Sequence, residues 1–124
     1  MAEADFSNKK LGLSGAQILA AFIERKFFQD NGALAKLDIS SNYDSGYDDK
    51  SYECEDFIRP IAGMLKTNKT IKELNLAGNN LNAEAARIFS QDIKDNGALV
   101  SLNLANNDLG VEGAQQLAKV LPTW

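Results

Sequence analysis

The chain has 124 residues, 44% hydrophobic and 24% charged, the size and balance of one ordinary folded domain rather than a disordered chain or a fibre. It carries a net charge of −4, no histidine and a single cysteine, Cys54, which excludes His-based triads, His-ligated zinc or haem, and an intrachain disulfide. No apolar run reaches the length of a membrane-spanning helix, and the opening MAEADFSNKK lacks the basic-then-apolar order of a secretory signal.

In chain order, Ser14 followed by Gln17 has the form of a capping box. Ala16, Leu19, Ala20, Ile23 and Phe27 then recur at helical spacing up to a stop at Asn31-Gly32. Leu34, Leu37 and Ile39 read as a strand ending at Asn42. The stretch 43–56 holds six acids against one base, so most of the negative charge sits there. Phe57, Ile58, Ile61 and Leu65 form the apolar stripe of a second helix. Pro60 belongs in or near its first turn, which places the start between Ser51 and Asp56. A strand follows at Ile71, Leu74 and Leu76, ending at Asn79. Asn82 caps a third helix with Ala86, Phe89 and Ile93 inward, stopped by Asn96-Gly97. The last strand carries Leu99, Leu102 and Leu104 and ends at Asn107. The last helix turns Ala114, Leu117, Ala118 and Leu121 inward before Pro122 closes it.

These elements repeat. Shifting 71–93 by 28 residues lays it on 99–121 with eight identities, among them Leu74/Leu102, Asn75/Asn103, Leu76/Leu104, Asn79/Asn107 and Leu81/Leu109. LGLSGAQILA at 11–20 matches LGVEGAQQLA at 109–118 in seven of ten positions, and DNGAL occurs at 30–34 and at 95–99. The shared pattern is L-x-x-L-x-L-x-x-N, in three registered copies. A degenerate fourth copy precedes them, with Phe6 at the place of Leu104 and Lys9 where the asparagine belongs. The L-x-L pair puts two apolar side chains on one face of a short strand, and the asparagine amide is suited to satisfying backbone groups of the turn and of the next copy.

Together the pattern and wordings such as LNLAGNNLNAEAA and LNLANNDLGVEGAQQLA resemble the leucine-rich repeat proteins. The 28-residue period with one helix per repeat is similar to the ribonuclease-inhibitor-like subfamily. The resemblance implies an α/β solenoid, a short horseshoe with a parallel sheet on the concave face and helices on the convex face. The strands are expected at 34–42, 71–79 and 99–107, with a fourth from the degenerate copy. The expected organisation is one leucine-rich repeat domain over 1–124: an N-terminal capping repeat (1–33), a repeat with an acidic insertion at about 43–51 (34–70), a plain repeat (71–98) and a terminal repeat (99–124). A capping repeat should turn a polar surface outward.

Two surfaces stand out as binding candidates. One is the acidic, tyrosine-rich insertion with Tyr43, Asp44, Tyr47, Asp48, Asp49 and Tyr52, where aromatics beside charge resemble a protein-binding hot spot. A solvated insertion is its plainer reading, and calcium binding by Asp44, Asp48 and Asp49 lacks the ligand order of an EF-hand loop. The other is the concave face, where Lys36 and Asp38, Glu73 and Asn75, and Ser101 and Asn103 should point outward between the leucines. Asp38, Asn75 and Asn103 fall in one column and could bond to one another. Cys54 is expected in the core at the start of the second helix.

No basic stripe for nucleic acid is visible, and no cofactor or metal set is expected. The solenoid that the resemblance implies makes a non-enzymatic protein–protein interaction module the leading function, with the cytoplasm expected from the lone cysteine. Alternatives are a regulator of a small GTPase acting in trans, for which Arg25, Arg59 and Arg87 all fall on outer helices, and a structural fragment or cap of a longer array. Self-association through the C-terminal edge, or through packing around Trp124, is a further expectation.

Overall fold

The structure, a computed structural model, describes residues 2–24, 34–43 and 53–120. Strands and helices alternate: β1 (Ala2–Asp5), α1 (Gly12–Glu24), β2 (Leu34–Asp38), α2 (Cys54–Thr67), β3 (Glu73–Asn75), α3 (Ala83–Ile93), β4 (Ser101–Asn103) and α4 (Gly110–Ala118). The four strands form one parallel sheet in chain order, with Ala4, Leu37, Leu74 and Leu102 in register. Each helix packs on its predecessor, α1 on α2, α2 on α3 and α3 on α4. This is the architecture of a leucine-rich repeat solenoid. The degenerate first copy forms a real strand, and Phe6 takes the expected place of Ile39, Leu76 and Leu104.

The strands are shorter than the pattern suggests because the outward Asp or Asn turns the chain early. Asp5 Oδ1 accepts from the Ser7 N–H, Asp38 Oδ1 from Ser40, Asn75 Oδ1 from Ala77 and Asn103 Oδ1 from Ala105, at 2.9–3.0 Å. The residue before each ladder position is left-handed, Asn8, Ser41, Gly78 and Asn106 having φ between 53° and 67°. Inside the sheet lie Leu34, Leu37, Ile39, Ile71, Leu74, Leu76 and Leu99, packed on Phe57, Ile58, Ile61, Leu65, Leu81, Phe89 and Ile93.

An asparagine ladder ties the turns together. Asn79 Oδ1 accepts from the N–H groups of Asn42 and Tyr43, and its Nδ2 donates to the carbonyls of Ile39 and Leu76. Asn107 Oδ1 accepts from Asn79 and Leu81, and Asn42 Oδ1 from Lys9 and Leu11. The ladder thus bonds each turn to the next one, as the pattern proposed. A second pair 28 residues apart, Asn68 and Asn96, holds the helix exits: the Asn96 Nδ2 donates to Leu65 O at 2.7 Å, and each Oδ1 accepts from the backbone entering the next strand.

Several local expectations are corrected. The first helix starts at Gly12, leaving Ser14 inside it rather than at a cap, because Asn42 fixes the chain two residues earlier by accepting from Leu11 N and Gly12 N. The second helix does start at Cys54, but Pro60 sits beyond its first turn. Asn82 caps the third, accepting from Ala85 N at 2.9 Å. In the last helix the inward residues are Gly113 and Leu117, with Val120 buried just beyond it, while Ala114 and Ala118 are exposed. Among the described residues this helix has a neighbour, α3, on one flank only, and its alanine flank faces away from it. On α1, Ser14, Gln17 and Glu24 are exposed, and with them Ile18, at 70%. Asn31-Gly32, Phe27, Leu121, Pro122 and Trp124 lie outside the described residues.

Candidate functional site: the concave sheet face

Alternation along β1–β4 sends the leucines into the core and the intervening residues onto the concave face. That face forms an open trough of about 480 Å³ lined by Glu3, Asp5, Lys36, Asp38, Glu73, Asn75, Ser101 and Asn103, among others. Register stacks these side chains in two columns, Glu3–Lys36–Glu73–Ser101 and Asp5–Asp38–Asn75–Asn103.

In the first column Lys36 Nζ lies 3.3 Å from Glu3 and 3.2 Å from Glu73. Its hydrogen bond with Glu73, then that with Glu3, raises the lysine above its ordinary pKa. All three groups are solvent-exposed, so the bridge fixes side-chain positions more than it stabilises the fold. In the second column the residues do not bond to one another. Each spends Oδ1 on its own turn instead, and the Ser7 and Ser40 hydroxyls add donors to Asp5 and Asp38 at 2.6 Å. The Ser7 hydroxyl, followed by the Ser7 N–H, holds the Asp5 carboxyl below its usual range. What remains for a ligand is the second oxygen of each aspartate and the NH₂ of each asparagine, which have no partner among the described residues. Along the second column the trough is therefore anionic over β1–β2 and offers neutral amides over β3–β4, while in the first column Glu73 adds a carboxylate on β3 beside Lys36.

Sequence reasoning missed Glu3 and Asp5 because the first copy lacks its asparagine. The available signal was Asp5-Phe6-Ser7, which repeats the Asp38-Ile39-Ser40 turn.

The insertion fares differently. Tyr43 is not a surface residue but is 4% exposed, stacked on Phe57 with ring centroids 5.6 Å apart. The ladder accounts for this: the Tyr43 N–H donates to Asn79 Oδ1 as Leu11 does to Asn42 and Leu81 to Asn107, so Tyr43 takes the inward place of those leucines. Asp44, Tyr47, Asp48, Asp49 and Tyr52 lie outside the described residues. Cys54 is buried beside Tyr43, and desolvation pushes its thiol up to about 12, assisted by the Glu55 carboxylate. Such a thiol is unreactive at neutral pH. Arg87 is bound to Glu84 on the same helix, Arg59 is exposed on α2, and Arg25 lies outside the described residues. Among the described residues no group of His, Cys, Asp and Glu could hold a metal ion, and no helix is long and apolar enough to cross a membrane.

The described chain thus presents a polar, outward-facing parallel sheet backed by helices. Two segments, residues 67–87 and 96–118, match the Leucine Rich repeat family, and with the fold they support a leucine-rich repeat protein. The search of curated proteins found no match.

Proposed function

We propose that this protein is a non-enzymatic protein-interaction module of the ribonuclease-inhibitor-like kind, organised as the four units 1–33, 34–70, 71–98 and 99–124 and working in the cytoplasm. The 28-residue step from Asn79 to Asn107 and the one helix per repeat support the subfamily. The observation that carries the function is the concave face, where four strands present carboxylate oxygens and amide groups that the fold does not use. Lys36, Asp38, Glu73, Asn75, Ser101 and Asn103 hold the partner, together with Glu3 and Asp5. A partner segment laid across the strands meets carboxylates at one end and amides at the other. The arginines do not favour a GTPase regulator: Arg87 is already paired and Arg59 lies on the convex side.

The test is affinity capture followed by titration of each recovered protein against three variants. The expected result is that Asn75→Arg with Ser101→Arg abolishes binding, while Arg59→Glu on the convex side leaves it unchanged. Binding that survives the concave pair but is lost in Tyr47→Ala with Tyr52→Ala would move the site to the acidic insertion.

A further inference from the structure

The first and last helices of the array, α1 and α4, carry surfaces related by the repeat. At the internal junction between α3 and α4, Gly113 makes close approach possible: a Cβ there would lie 3.3 Å from Ala83 Cα and 3.3 Å from Ala86 Cβ. Gln116, one turn on, lines the same groove as the cap residue Asn82 and Ala83, Glu84 and Arg87 of α3. Now α1 is a near copy of α4, with Gly15 in the place of Gly113 and Ile18 in that of Gln116. A Cβ on either glycine would first meet the leucine four residues before it, Leu109 at 2.9 Å or Leu11 at 2.6 Å, but beyond that only Gly113 meets another helix, and Ile18 is 70% exposed. So α1 carries the surface that α3 covers on α4, and no described helix covers it.

The complementary surface is on the far flank of α4. Residues 28 after Ala83 and Ala86 are Val111 and Ala114. Ala86 is 4% exposed, whereas Ala114 is exposed and Val111 is 77% exposed. Val111 and Ile18, two of the large apolar residues most exposed in the structure, are thus each other's counterparts in the repeat geometry. The sheet agrees. Leu76 N–H donates to Asn103 O and Gly78 N–H to Ala105 O. By the same translation Leu104 and Asn106 would donate to the carbonyls of Asp5 and Ser7 in a following unit. Across that junction the Asp5 carboxylate would sit beside the Asn103 amide, and Glu3 beside Ser101, with no like charges opposed.

We infer that the occupant of each end is a second copy of this chain, stacked head to tail, with α4 and β4 of one copy against α1 and β1 of the next. An interface of this kind does not close on itself, so association continues beyond a dimer. One feature makes the junction weaker than an internal one. Asn107 and Leu109 would need an amide oxygen from the next ladder position, where the second copy has Lys9. The inference is independent of the concave-face reading, which survives if it fails.

Sedimentation velocity of the full chain from 10 to 500 μM is the experiment. Wild type is expected to grow past dimer as concentration rises. Ile18→Asp and Val111→Asp, both exposed and checked for intact circular dichroism, should each be monomeric alone. Mixed, they should form a 1:1 heterodimer and nothing larger, since one supplies an intact C-terminal end and the other an intact N-terminal end. Lys9→Asn should tighten self-association roughly tenfold by restoring two hydrogen bonds. A wild-type chain monomeric at 500 μM overturns the inference, as does either aspartate variant associating like wild type, or a mixture that stays monomeric.

Discussion

The third and fourth repeat units share eight of 23 aligned positions at a 28-residue shift, yet they are not buried alike. Leu74 and Leu76 are 2% and 0% exposed, while their counterparts Leu102 and Leu104 are only half-buried. Ala86 is buried and Ala114 is exposed. Asn79 is fully buried, and Asn107 is not. The same residues in the same local structure therefore acquire different energetic weight. In a solenoid a residue's burial is supplied by the units on both sides, and among the described residues the fourth has a neighbour on one side only.

That contrast can be broken by mutating equivalent positions. The largest expected effect is at the ladder. Asn79→Ala leaves the N–H groups of Asn42 and Tyr43 and the carbonyls of Ile39 and Leu76 without their side-chain partner in a buried turn, at a cost of about 4 kcal/mol. Asn107→Ala, partly solvated, should cost about half as much. Urea denaturation measures both, and equal losses would show that the last turn is as dry as the central one.

Next comes the leucine pair. Leu76→Ala empties a fully buried site and should cost roughly 2–5 kcal/mol, with Leu104→Ala roughly 1–2 kcal/mol. Measured at rising protein concentration, the Leu104 cost should grow toward that of Leu76 if a second copy covers the open end.

The smallest effect sharpens the comparison between the second and third units. Ser41 and Gly78 occupy the same left-handed position, at φ 56° and 67°. Ser41→Gly should stabilise by about 0.5 kcal/mol, because glycine escapes the Cβ clash at positive φ but is more flexible when unfolded. Thermal melts would show it as a rise of a few degrees; a fall would mean that the Ser41 side chain stabilises the turn by more than its strain costs.

The repeat itself was legible in the residues alone. An L-x-L alternation followed by Asn at a constant spacing admits one geometry, and the asparagine's two donors and two acceptor sites anticipate a ladder that links neighbouring turns. The outward set Lys36, Asp38, Glu73, Asn75, Ser101 and Asn103 follows from the same period of two. The degenerate copy at Phe6 and Lys9 could also be placed, although its face residues Glu3 and Asp5 could not without noticing that Asp-x-Ser occurs twice.

What only the tertiary structure decided is which groups have neighbours. Tyr43 reads as part of an acidic loop from its flanks, but its backbone is pinned by Asn79, 36 residues away, and its ring stacks on Phe57. Ala114 and Ala118 read as an inner stripe because their spacing is helical, yet they face outward because nothing described packs on that flank. Ile18 and Val111 are apolar residues in ordinary helical places until the fold shows them exposed at opposite ends of one stack. Local pattern specifies which way a side chain points relative to its own strand or helix. Whether that direction meets protein or water depends on chain segments tens of residues away, and no window of the sequence contains them.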